Sequence, residues 1–72
     1  MTIEEFKKLA LEEQRKEIKG ALSMGARTEG MVTVNFYKID RFYIEEYFYQ
    51  KYKTVLKYIA YTEKEFIDLY LK

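Results

Sequence analysis

The sequence predicts an α+β fold in the order α-β-β-β-β-α, a four-stranded antiparallel meander with its helices packed on one face. Three observations carry this. Thr2 with Glu5, and Thr62 with Glu65, match the spacing of a capping box, in which a hydroxyl and a carboxylate each satisfy an otherwise unpaired amide at a helix start. From Ala21 to the second of these boxes no run keeps a period of 3.6, and β-branched and aromatic residues dominate. The connections inside that stretch are far shorter than the dozen or so residues a parallel crossover needs.

The first helix is expected to start at Thr2 and run through strong helix formers to Lys19, with Gly20 as its stop. Opposite charges three or four apart (Glu4 and Lys8, Glu12 and Lys16, Glu12 and Arg15) support an exposed face. Ile3, Phe6 and Ala10 form one apolar stripe while Leu11 and Ile18 lie on a rotated one, a drift that predicts a bend or break near residues 9–11. Strands follow over 22–27, 31–38, 42–49 and 54–61, joined by turns at 28–30 and 39–41 and a polar loop at 50–53. Phe66, Ile67, Leu69, Tyr70 and Leu71 fill a short final helix. With no proline, no Gly/Ser-rich linker and no internal repeat, residues 1–72 read as one small domain.

Period-2 alternation places Val32, Val34 and Phe36 on one side of the second strand, and Phe42, Ile44 and Phe48 on one side of the third. These are expected to form a common core face beneath the helices, a reading that a one-residue slip in register would invert. Glu46 is the odd member of that row and needs a partner there, with Arg27 and Lys57 as candidates. The opposite face carries Tyr37 on the second strand and Tyr43, Glu45, Tyr47 and Tyr49 on the third. Tyrosine is a good strand former whose hydroxyl can stay wet. It is also enriched at interfaces, so Tyr37, Tyr43, Tyr47 and Tyr49 are read as a recognition patch.

Apolar residues make up 49% and charged residues 35% of the chain, a balance expected of a domain that folds in water. The apolar runs are a few residues long, against roughly 20 for a membrane span. The start is acidic and amphipathic rather than basic and apolar, so a cytoplasmic location is expected. There is no Cys and no His, which removes a disulfide framework, a thiol nucleophile, an imidazole base and a Cys/His zinc site. No metal or cofactor is expected. The net charge of +1, with signs mixed along the chain, argues against a strong phosphate binder. Glu45 and Glu46 form a tempting carboxylate pair for hydrolysis, but neighbours on a strand point to opposite faces and cannot share a substrate.

The succession Gly25-Ala26-Arg27, Phe36-Tyr37, Phe42-Tyr43-Ile44-Glu45 and the closing Leu69-Tyr70-Leu71 resembles a set of small uncharacterised bacterial proteins built as a helix, a β-meander and a terminal helix. The resemblance covers most of the chain and implies no activity or ligand. Glu46 departs from it, since an aliphatic residue is usual there.

The functional expectation is a non-catalytic protein–protein interaction or adaptor protein, homodimeric through a tyrosine-rich sheet face or edge. The alternative is a weak single-stranded nucleic-acid binder using the interleaved Lys51, Tyr52 and Lys53 with Tyr43 and Tyr47.

Overall fold

The computed structural model describes residues 1–71. Its order is α1 (Ile3–Lys8), α2 (Leu11–Ile18), β1 (Leu22–Glu29), β2 (Val32–Ile39), β3 (Phe42–Tyr49), β4 (Thr54–Thr62) and α3 (Glu63–Tyr70). The four strands form one antiparallel sheet in sequence order, so the α+β class and the α-β-β-β-β-α succession are as the sequence predicts. Both capping boxes are present: Thr2 and Glu5 close the start of α1, and Thr62 and Glu65 the start of α3. The break expected between the first two apolar stripes falls at Leu9 and Ala10, both extended. The Gln14 side-chain amide donates to the Phe6 carbonyl at 3.0 Å and ties the two short helices together.

Two tight hairpins set the register. Glu29 pairs with Val32 and Ile39 with Phe42, leaving Gly30-Met31 and Asp40-Arg41 as two-residue connections. Each opens with a residue at positive φ, Gly30 at 62° and Asp40 at 51°, as two-residue hairpins require. The three-residue turn expected at 39–41 is therefore one residue too long. That residue inverts the relation between β2 and β3. Phe36 pairs with Glu45 and Val34 with Tyr47, while Tyr37 pairs with Ile44.

The common core row expected from Val32, Val34, Phe36, Phe42, Ile44 and Phe48 is thus divided between the two faces. Phe42 and Ile44 lie with Phe6 and Ile18 in the buried core under α1 and α2, packed by Tyr37, Ile39, Tyr58 and Ala60. The Phe6 ring sits 5.8 Å from Phe42 and edge-on to Tyr58 at 6.1 Å. Val34 and Phe36 are on the other face, which α3 covers: the Phe66 ring stacks on Tyr43 at 4.2 Å and meets Phe36 edge-on at 6.4 Å. The helices accordingly occupy opposite faces rather than the one face expected. The sequence expectation makes Phe36, Phe42, Ile44 and Phe48 all buried; Phe42 and Ile44 are, whereas Phe36 and Phe48 are half-buried.

Both edge strands carry an irregularity. Met24 is extra in β1, between the Ser23–Tyr37 and Gly25–Phe36 pairs, and Leu56 is extra in β4, between the Lys57–Tyr47 and Val55–Phe48 pairs. Gly25 adopts φ 132°, which only glycine reaches without strain. Such bulges twist an edge and interrupt the row of free backbone groups a neighbouring strand would need. Among the described residues no helix is long and apolar enough to cross a membrane.

Candidate interaction site around Glu45

The adjacent carboxylates of β3 are both buried, Glu45 to 1% and Glu46 to 8% exposure, and they point to opposite faces. Each is satisfied by tyrosine. On the α1/α2 face, Glu46 accepts from the Tyr58 hydroxyl at 2.7 Å and the Asn35 amide at 3.0 Å. These replace the Arg27 or Lys57 partners expected from the sequence, because Asn35 and Tyr58 are its direct cross-strand neighbours. Burial, then the bond to Glu46, pushes the Tyr58 phenol well above the usual tyrosine value. Burial and the charge of Glu46 also raise Tyr37.

On the α3 face, three phenols and a guanidinium converge on Glu45. Its Oε1 accepts from Tyr47 at 2.9 Å and Tyr61 at 2.8 Å. Its Oε2 accepts from Tyr70 of α3 and lies 3.5 Å from Arg27 Nη1. Arg27 Nη1 also donates to the Tyr70 hydroxyl at 2.8 Å, while Nε pairs with Glu29. The guanidinium carbon lies 5.3 Å from the Phe36 ring centre and 5.6 Å from that of Tyr70. Arg27 is held charged first by its bond to Glu29, then by the charges of Glu29 and Glu45. Burial, followed by the bonds to Glu45, raises Tyr47 and carries Tyr61 well above the ordinary value. Among the described residues no buried side-chain nitrogen or oxygen lacks a partner.

The expected tyrosine patch is divided. Tyr37 faces the α1/α2 core, so it does not join Tyr43, Tyr47 and Tyr49. Tyr43 is stacked on Phe66 and has the Lys38 ammonium 5.5 Å from its ring centre, and Tyr47 carries Lys57 at 4.7 Å. Tyr49 meets Tyr52 edge-on at 5.4 Å. The second expected set, Lys51, Tyr52 and Lys53, lies together in the β3–β4 loop with Lys51 5.4 Å from the exposed Tyr52 ring. Tyr43 lies near the other end of β3 from that loop, under Phe66.

Sequence reasoning missed Tyr61 and Tyr70 as members of the site. Their signal was non-local: the four-residue β3–β4 connection and the Leu56 bulge together place Tyr61 diagonal to Glu45, and the Phe66–Tyr70 spacing of four aligns both rings on one side of α3. Beside this cluster an apolar groove of about 300 Å³ is lined by Met24, Phe36, Tyr43, Phe66, Tyr70 and Leu71. Of its lining residues, Met24 and Leu71 are exposed apolar side chains. No protein-family model matches the chain, and no curated protein or solved structure matches it.

Proposed function

We propose that this is a non-catalytic protein-interaction module, self-associating or holding a partner protein through the α3 side of the sheet. The observation that carries this reading is the apolar groove between the β1 bulge and α3, with Met24 and Leu71 on its lip at 47% and 66% exposure. An open groove flanked by exposed Leu and Met is a favourable seat for an apolar side chain from another chain. The carboxylates support a structural rather than a catalytic role, since Glu45 and Glu46 are consumed by hydrogen bonds on opposite faces.

Size-exclusion chromatography with light scattering across a wide concentration range tests this. Self-association that Met24→Lys removes, with an unchanged circular dichroism spectrum, is the expected result. Met24 is an exposed bulge residue, so the substitution leaves the core intact. A strictly monomeric wild-type chain at high concentration disposes of the self-associating form. Association indifferent to Met24→Lys disposes of the groove.

A further inference from the structure

We propose that the sheet surface under α3 is a receptor for a tyrosine-bearing helix, that α3 fills it as an internal ligand, and that a partner helix with an aromatic residue four positions before a tyrosine displaces α3. This rests on the reading above that the α3 side is the binding side, and it names the partner's chemistry.

The site reads a phenol at three points. Arg27 donates to the Tyr70 oxygen, Glu45 accepts the hydrogen bond that the Tyr70 hydroxyl donates, and Phe36 meets its ring edge-on at 5.2 Å. One helical turn earlier, Phe66 lies parallel to Tyr43 with the planes 11° apart. An aromatic ring and a tyrosine four residues apart on one helix face therefore match both of these contact points, as the anchors of a helix laid in a groove do.

The receptor also survives without its occupant. Tyr47 and Tyr61, both from the sheet, keep their bonds to Glu45 when α3 leaves, and Arg27 stands ready at Oε2. The polar cost of opening is consequently low, because every buried group under α3 keeps a sheet-borne partner. The strap itself is lightly held. No residue of α3 is buried, Ile67, Leu69 and Tyr70 are exposed, and the helix joins the sheet at the single junction after Thr62. Elements with little buried apolar surface are the first to open locally. Met24, Phe36 and Tyr43, the sheet side of the groove, stay in place when α3 leaves and give a bulkier partner helix apolar contact beyond the strap's own.

The probe is a synthetic peptide of residues 62–71, titrated into isotopically labelled full-length protein and followed by amide shifts. In the full-length double variant Phe66→Ala with Tyr70→Ala, whose own strap is weakened, the peptide should move the Phe36, Tyr43 and Glu45 amides. It should bind there at least about tenfold more tightly than to the wild type, where the tethered α3 competes at an effective concentration of roughly millimolar. A peptide carrying Tyr70→Phe should bind about tenfold more weakly, having lost a hydrogen bond to charged groups. Shifts elsewhere, no shifts in a folded variant, or indifference to Tyr70→Phe overturn the proposal. Should the double variant unfold, the wild type decides: saturating peptide should speed amide exchange within α3, and unchanged exchange overturns the proposal. Peptide failure with self-association still abolished by Met24→Lys removes the receptor and leaves the interaction reading standing; the reverse result does the opposite.

Discussion

The two faces of the sheet use the same device, a buried glutamate on β3 answered by tyrosine, to different ends. Under α1 and α2 the centre is dry and apolar, with Phe6, Ile18, Phe42 and Ile44 buried and Glu46 bonded by two cross-strand neighbours. Under α3 the centre is the polar cluster itself, and the covering helix buries none of its own residues. The difference teaches where stability and recognition are separated. Apolar area removed from water holds one face shut, whereas the other is held by a few aromatic contacts of Phe66 and Tyr70 and by directional bonds that the sheet can partly replace.

Phe42→Ala on the first face and Phe66→Ala on the second give the widest contrast. Phe42 is 4% exposed against Phe6 and should cost about 3 to 5 kcal/mol, much of the stability of so small a domain. Phe66 is half-buried and forms aromatic pairs, so its loss should cost about 2 kcal/mol, from pairing and partial burial together. Urea unfolding of both variants measures the gap; equal losses would mean that α3 belongs to the main core.

The carboxylates give the next contrast. Glu46→Gln should cost about 1 kcal/mol, because its amide oxygen can still accept from Tyr58 and the Asn35 amide can turn to suit it. Glu45→Gln faces Arg27, which cannot become an acceptor, and three phenols that currently donate. It should cost about 3 kcal/mol. Thermal melts of the two variants side by side decide whether the α3 face depends on the charge or only on the shape of Glu45.

Much of this architecture was legible in the sequence, and the limit was turn length, read one residue too long at both 28–30 and 39–41. The two Thr-x-x-Glu boxes, the break after the first short helix and the strand β3 all stand where local chemistry puts them, since caps and turn residues act on their neighbours. The face assignment was not local. It depended on whether the turn at Asp40 holds two residues or three, and a side-chain period of 2 converts that into opposite faces for Phe36 and Phe42. Once that parity was misread, Tyr37 was assigned to the tyrosine patch instead of the core, and Phe36 to the core row of Phe42. The side that α3 covers was set by contacts far apart in sequence, Phe66 with Tyr43 and Phe36.

Alkaline pH should weaken both faces together. Tyr58 and Tyr61 hold their protons above the ordinary value of 10.0 when folded, by burial and by bonds to Glu46 and Glu45. The unfolded chain thus releases protons first. The stability this represents is complete below pH 10.0 and is lost as pH rises through the folded values. Melts from about pH 8 to about pH 11 should fall in the wild type and fall less steeply in Tyr58→Phe or Tyr61→Phe. Neither substitution should flatten the curve, because Tyr37 remains raised on one face and Tyr47 on the other.

The caps supply the smallest contrast and the most local one. Thr2 and Thr62 make the same reciprocal bonds, each accepting from the amide of a glutamate three residues on, at 3.1 and 3.2 Å. Replacing either by alanine should cost its helix about 1 kcal/mol. The helices spend that loss differently. α1 carries the buried Phe6, so fraying it opens the main core, and Thr2→Ala should lower the melting temperature of the whole domain. α3 carries no buried residue, so Thr62→Ala should leave the melt nearly unchanged while its amides exchange about fivefold faster, as a 1 kcal/mol loss confined to one opening element implies. Equal drops in melting temperature for the two variants would show that α3 unfolds only with the sheet, and the separation of a stable face from an openable one would be lost.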